Sequence, residues 1–250
     1  MNRVKVLGGL ILALLVAASA AMAAETDATA DAKKTTVKDK AGAENAGGFT
    51  YQPPMRGAPA ARIGGGTRGV GDTTLELVVL APDHTGLTTK EQPTLYWYVS
   101  KPVAAHLEVT VINDEAIEPA LEQEVATTGH AGIQSLDLAK AGTKLKPGVE
   151  YRWFVSVIAD PSQRSNDVVA SGTIQRITPD SGLQRRIAAA DEASLARIYA
   201  DAGIWYDSID TLSRMIEKSP NDSALREQRA ALLEQVGLQS AADYALGAGH

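Results

Sequence analysis

The sequence predicts an all-β sandwich of two sheets followed by a small all-α module of helical hairpins. Seven short runs rich in β-branched and aromatic residues fall between residues 73 and 177, separated by turn residues and lacking a helical period. That texture is the pattern of a sandwich. Residues 145–160 read as a tight turn feeding a long buried strand, with Tyr151 at its first inward position. After Pro179 the apolar spacing changes to three and four, the period of a helix face.

Taken in chain order, the first 23 residues carry Arg3 and Lys5, an apolar run from Val6 to Val16, and the small-x-small signal Ala21-Met-Ala23. This is the pattern of a secretory signal peptide, and the apolar run is too short to span a bilayer. Residues 24–63 are poor in large apolar side chains and rich in Ala, Thr, Lys, Asp, Gly and Pro. Such a stretch cannot bury enough surface to offset its ordering entropy, so a disordered linker is expected. Phe49, Tyr51 and Met55 are its only bulky side chains.

The sandwich domain is expected over 64–178, with runs at 73–81, 93–100, 106–113, 117–125, 132–138, 150–159 and 168–177. The fourth belongs at an edge, because Pro119 has no N–H for a ladder. Alternation turns Leu95, Trp97 and Val99 inward, facing Tyr151, Trp153, Val155 and Val157. Tyr96 and Tyr98, which flank Trp97, are therefore expected to face outward. In the helical segment, 179–250, the apolar stripe runs through Leu183, Ile187, Leu195, Ile198, Tyr199, Trp205, Ile209, Leu212 and Ile216. Asp191 is expected to cap a helix N-terminus, and Gly203 and Gly237 to end helices. Two or three antiparallel helices joined by short turns satisfy this pattern.

Composition narrows the function classes. Loss of the leader removes two basic residues and no acidic one from a chain of net charge −6, leaving −8. An acidic chain without a basic stripe is a poor match to nucleic acid or anionic lipid. The absence of Cys rules out a lipid-anchored lipobox and disulfides. None of His84, His106, His130 and His250 stands in H-E-x-x-H or in an i, i+4 pair, so no zinc motif is present. No G-x-S-x-G elbow occurs either. No catalytic residue, metal ligand or cofactor is assigned. The segment Gly64-Gly-Gly-Thr-Arg-Gly69 matches G-x-G-x-x-G in letters. A dinucleotide site needs a strand before that motif and a helix after it, whereas a linker precedes it here and a strand follows. Gly64, Gly66 and Gly69 are therefore read as structural, giving the backbone freedom to pass close to the sandwich end. The loop 160–167, Asp-Pro-Ser-Gln-Arg-Ser-Asn-Asp, joins the last two strands. Its Arg164 pairs with Asp160 or Asp167, or else it binds a ligand.

Three resemblances follow from these residues. Leu145-x-Pro147-Gly148-x-x-Tyr151, with Trp97 on an earlier strand, resembles the tyrosine corner and B-strand Trp of a fibronectin type III domain. That places the sandwich among the immunoglobulin/fibronectin-like ones. A wider set resembles an uncharacterised bacterial family, the domain-of-unknown-function 928 family, best known from cyanobacteria. It comprises the Gly64–Gly69 motif, Pro93-Thr-Leu-Tyr-Trp-Tyr98, Tyr151-Arg-Trp153, Arg164-Ser165 with Asp167, and Gly203-Ile-Trp-Tyr-Asp207. That resemblance implies an exported protein with no assigned activity. Ala196, Tyr199, Leu212 and Pro220 fall at the small, aromatic, large and proline positions of a tetratricopeptide unit, with Ser208 where Ala is usual. One repeat and a following helix are too little for a free-standing solenoid. The sandwich or a partner must cover its apolar stripe.

Alternating strand direction puts the loops 64–71, 100–105, 126–131 and 160–166 at one pole, and the Tyr151 corner with the exit to the helices at the other. The first pole is the candidate binding end, carrying Arg68, Lys101, His130, Arg164 and Asp167, because loops on a rigid scaffold are where such domains bind. The expected function is a secreted, non-enzymatic interaction module of the periplasm or cell envelope, binding a protein or an anionic or peptide ligand. A protein partner is expected, with no nucleic acid and no stable membrane insertion after leader cleavage; the oligomeric state stays open. One alternative is a carbohydrate-binding module that stacks sugar on Tyr96 or Tyr98. Another is an envelope hydrolase, which would need two carboxylates or a Ser–His pair in a cleft.

Overall fold

The computed structural model describes residues 49–54, 62–63, 75–113 and 115–247. Among them eight strands form two sheets. Strands β1 (Leu77–Val79), β3 (Thr94–Val99) and β6 (Gly132–Asp137) make an antiparallel sheet in the order β1-β3-β6. Strands β2 (Gly86–Thr88), β4 (His106–Ile112), β5 (Leu121–Val125), β7 (Glu150–Ile158) and β8 (Val168–Arg176) make the second, in the order β2-β8-β7-β4-β5. Only the β2–β8 pair is parallel.

The inward positions are the expected ones. Leu95, Trp97 and Val99 on β3, Leu107, Val109 and Val111 on β4, and Tyr151, Trp153, Val155 and Val157 on β7 are all buried in one core. The turn before β7 also forms as expected. Gly148 takes φ +78, a conformation that a side chain would strain. The Lys146 backbone N–H then donates to the Tyr151 hydroxyl oxygen at 3.1 Å.

Two strand assignments change. The first run is shorter than 73–81, since β1 covers Leu77–Val79. An eighth strand, β2, was not expected at all. Its three residues, Gly-Leu-Thr, are too few for alternation to register, and it takes its ladder from β8 by a parallel register of Gly86 with Ile174. The weak run 117–125 begins its ladder only at Leu121, beyond Pro119, and β5 is an edge strand as expected.

Five helices follow: α1 (Ser181–Ala189), α2 (Glu192–Asp201), α3 (Trp205–Lys218), α4 (Ser223–Gln235) and α5 (Gln239–Ala245). That exceeds the two or three expected. α1 carries Leu183 and Ile187 of the expected stripe yet buries no residue, and α5 buries only alanines and so shows no large apolar stripe to count. Asp191 caps α2 by accepting the Ser194 N–H, and Asp222 caps α4 by accepting the N–H groups of Ala224 and Leu225. Gly203 ends α2 with φ +72. Ala196, Tyr199 and Leu212 are buried where α2 packs on α3. Ser208 is fully buried there too, and its hydroxyl donates to the Ala196 carbonyl at 2.9 Å, which satisfies the polar group.

The helices do not stay at the pole of the Tyr151 corner. They belong to the same compact unit as the sheets, with α3 and α5 over the outer face of the three-stranded sheet and α3 also against β2. Tyr96 donates its O–H to Asp210 of α3 at 2.9 Å, and the Tyr98 ring packs on Tyr244 of α5 at 5.5 Å. Tyr96 and Tyr98 are therefore buried, at 4 % and 8 % exposure, rather than outward. The physical reason is that an amphipathic helix and a sheet face bearing two tyrosines each hide what the other would expose. Tyr244 reaches Ala131, whose carbonyl accepts its hydroxyl at 3.4 Å. The helical cover thus extends to the opposite end of β6.

At its N-terminus α3 completes the core between the sheets. Tyr206 is fully enclosed; its hydroxyl accepts the Trp153 indole N–H at 2.8 Å and donates to the Thr173 carbonyl at 2.9 Å. Trp205 donates its indole N–H to the Leu80 carbonyl at 2.8 Å.

Two hydroxyl deletions should separate in size. Tyr151→Phe removes one acceptor from a part-buried bond and should cost about 0.5–1.5 kcal/mol. Tyr206→Phe strands a buried indole N–H and a carbonyl, so it should cost about 1–3 kcal/mol. Urea titration of both variants checks the order; equal losses would mean that Tyr206 does not bridge the two groups.

Candidate functional site

The helical face holds a peptide, and the peptide is the chain's own. Residues 49–54 lie across it outside any helix or strand, with Phe49 and Tyr51 each 7 % exposed. One side chain reads their backbone in both directions: Gln235 of α4 donates from Nε2 to the Phe49 carbonyl and accepts the Tyr51 N–H at Oε1, both at 2.8 Å. A third contact runs from the Gln52 N–H to the Ala200 carbonyl near the end of α2, at 3.1 Å. Gly203 sits under this crossing, and a Cβ there would meet the Gln52 carbonyl oxygen at 2.6 Å. Glycine is needed at that point both for its φ and for the room it leaves.

Tyr51 meets Trp205 edge-on at 5.1 Å and stacks on His84 at 5.8 Å. Its hydroxyl is 2.9 Å from His84 Nε2, and His84 Nδ1 is 3.1 Å from Asp83. The connectivity is that of a carboxylate–imidazole–hydroxyl relay. Burial, with Asp83 adding to it, pushes the Tyr51 phenol far above its ordinary pKa, which keeps the proton on oxygen and opposes nucleophilic use. Further along, Arg62 donates to the carbonyls of Ala81 and Val236 at 2.9 and 3.0 Å. The expected linker is thus placed against the fold at 49–54 and 62–63. Composition averaged over forty residues hides a six-residue aromatic segment whose main-chain partner Gln235 lies more than 180 positions later. Beside Phe49 a hollow of about 460 Å³ continues the same surface, lined by Ile198, Leu225, Arg186, Arg197 and Asp201 among others.

A second polar cluster fastens α3 to the sandwich. The Asp207 carboxylate is fully buried and accepts from Thr88 Oγ1 at 2.5 Å, from the Thr89 N–H at 2.9 Å, and from the Thr89 hydroxyl. One turn on, Asp210 pairs with Lys90 and accepts the Tyr96 hydroxyl. Burial raises the Asp207 carboxyl above its ordinary range against the pull of these donors and of Lys90. This cluster has no open face for a substrate, since Thr88 and Asp207 are both at 0 % exposure.

The expected binding pole is only partly described. Arg68, Gly64, Gly66 and Gly69 lie outside the described residues, as do the leader and Met55. Arg164 sits in a short 3₁₀ turn, Arg164–Asn166. It pairs with Asp167 at 2.6 Å and with Glu108 of β4 at 2.9 Å, and those two contacts hold its guanidinium charged. The pairing with Asp167 is one of the two expected; Glu108 was missed because the cross-strand partner of a loop is invisible to local spacing. Arg164, His106, Glu108 and Glu124 line a hollow of about 240 Å³ on the five-stranded sheet, with His106 against Glu124. Glu108 and Glu124 are register partners on β4 and β5, so each carboxylate has a cationic or imidazole neighbour in place of the other. Lys101 and His130 do not line this hollow. Among the described residues no group of three or more His, Cys, Asp or Glu could hold a metal ion, and no helix is long and apolar enough to cross a membrane.

The pattern of a family described as Domain of Unknown Function (DUF928) matches residues 63–246. The chain belongs to this family. The match spans both sheets and all five helices, so the DUF928 unit is the sandwich together with its helical cover. No curated protein matches the chain.

The Asp207 cluster makes a pH-dependent contribution of fixed sign. A carboxyl raised in the folded state is favoured when protonated, so its contribution is full below the ordinary carboxylate pKa and is lost as pH rises through the raised value. Wild type should therefore gain stability relative to Asp207→Asn as pH falls from about 7 to about 4. Chemical denaturation of both proteins across that range measures it; a shrinking gap toward acid would show the Asp207 pKa to be lowered instead.

Proposed function

We propose that the protein is an exported, non-enzymatic interaction module of the periplasm or cell envelope whose helical face binds an extended peptide segment of a protein partner. The observation that carries this reading is the docking of residues 49–54. Gln235 grips the main chain of the segment rather than its side chains, a mode that accepts many sequences. Phe49 and Tyr51 act as aromatic anchors, and the adjoining hollow of about 460 Å³ gives a longer ligand further room. The segment is then an internal occupant of a surface that a partner can share. The leader pattern supports export.

The finer fold assignments support the same reading. We read the sandwich as fibronectin-like from its sheet orders, β1-β3-β6 and β2-β8-β7-β4-β5, and from the Tyr151 bond to Lys146. We read α2 and α3 as a tetratricopeptide-like hairpin from the packing of Ala196, Tyr199, Ser208 and Leu212. Hairpins of that kind present peptide-binding faces. The sugar-stacking alternative loses its platform, because Tyr96 and Tyr98 are buried under α3 and α5.

The test uses the full chain carrying Phe49→Ala and Tyr51→Ala, with a fluorescently labelled peptide of residues 48–54 added in trans. The doubly substituted chain should bind the peptide saturably, wild type at least tenfold more weakly, and a triple variant with Gln235→Ala not at all. Equal anisotropy for all three proteins would remove the peptide-binding reading.

A further inference from the structure

A buried cation on α4 points to a second binding site. Leu225, Arg229 and Leu232 share the buried side of that helix, and at Arg229 the helical period calls for an apolar residue. Arg229 is 9 % exposed, and its Nε has no hydrogen-bond partner. Burial lowers its pKa; Glu217 opposes that shift and Arg226 adds to it. A guanidinium does not give up its proton in a protein, so the charge stays. Buried charges otherwise come paired.

Arg229 lines a hollow of about 390 Å³ together with Arg226, Tyr244, Ala245, Leu246 and Gly247. Two of these six residues are cationic and none is acidic. In a chain of net charge −6, such a pair without a carboxylate is the opposite of the surface average. Arg226 is steadied by donating from Nη1 to the Pro220 carbonyl at 2.6 Å, and Tyr244 is held by Ala131 at 3.4 Å. The walls of the hollow are thus set by α4, the end of α5 and the two residues that follow it. Its size suits a small molecule at the lower end of ligand pockets.

We propose that this hollow is an oxyanion site, in which Arg229 and Arg226 together take up the carboxylate of a small organic acid or a phosphate group. The anion supplies a countercharge to the buried Arg229 guanidinium, whose planar fork matches a pair of oxygens. Helices α4 and α5 would then be sensitive to that ligand. The site is distinct from the peptide-holding face and does not depend on it, since Gln235 and Phe49 take no part in it.

The test is thermal unfolding of the full chain in sodium glutarate and in sodium phosphate, each against sodium chloride at equal ionic strength. Wild type should show a saturable rise in Tm of about 2–5 °C, and the anion with the lower half-saturation identifies carboxylate or phosphate as the preferred group. Arg229→Met should abolish the rise while its Tm in chloride is no lower than wild type, because a buried charge whose Nε has no hydrogen-bond partner has been replaced by an apolar chain of similar length. Arg226→Gln should raise the half-saturating concentration several-fold. Arg229→Lys, which keeps the charge but not the fork, should weaken the anion effect at least fivefold. The same rise in the Arg229 variants as in wild type, or no saturable rise in either anion, would overturn the site. So would a marked fall in the chloride Tm of Arg229→Met, which would make Arg229 a structural group.

Discussion

The phenol of Tyr206 is the interaction on which the rest of the structure hangs. It enters from α3 and ends between the two sheets, where one hydroxyl satisfies the Trp153 indole and the Thr173 carbonyl. The largest side chain of β7 thus depends on a helix that begins almost fifty residues after β7 ends. The Asp207 and Asp210 contacts then tie that helix to the end of β2 in one sheet and to Tyr96 of β3 in the other. Sandwich and helices consequently share a core, and neither buries its large residues without the other. The match of one family pattern across 63–246 agrees with that physical unit.

Much of this was legible in the sequence. Period-two runs gave the inward faces of β3, β4 and β7 because each strand has one dry face, and alternation survives wherever only one face is decisive. The turn into Tyr151 was readable because its chemistry is local: a proline, a glycine at positive φ and a tyrosine within seven positions. The outward face of β3 misled for the same reason. Tyr96 and Tyr98 look exposed to a rule that assumes water on the second face, and here α3 and α5 replace the water. β2 was silent because three residues cannot show a period.

The candidate sites were less legible, and the cause is again distance along the chain. Gln235 has no neighbour in sequence that hints at its grip on Phe49 and Tyr51. Arg229 could have been noticed as a charge interrupting an apolar stripe, yet only the fold shows that its side of α4 is dry. Arg164 was visible as a cation in a loop of turn formers, and one of its partners, Asp167, was within local reach; Glu108 was not. What the sequence places well are positions governed by their own element. What it hides are contacts assembled by topology.

The docking of residues 49–54 also sets an order in time. Ribosomes make Phe49 and Tyr51 long before Gln235, 184 positions after Tyr51. Until α4 exists, the main chain of the segment lacks the Gln235 grip, and any segment of similar chemistry competes for its place. The main chain of 49–54 is therefore among the last parts to be fastened, and the final turn of α4 fastens it in one step.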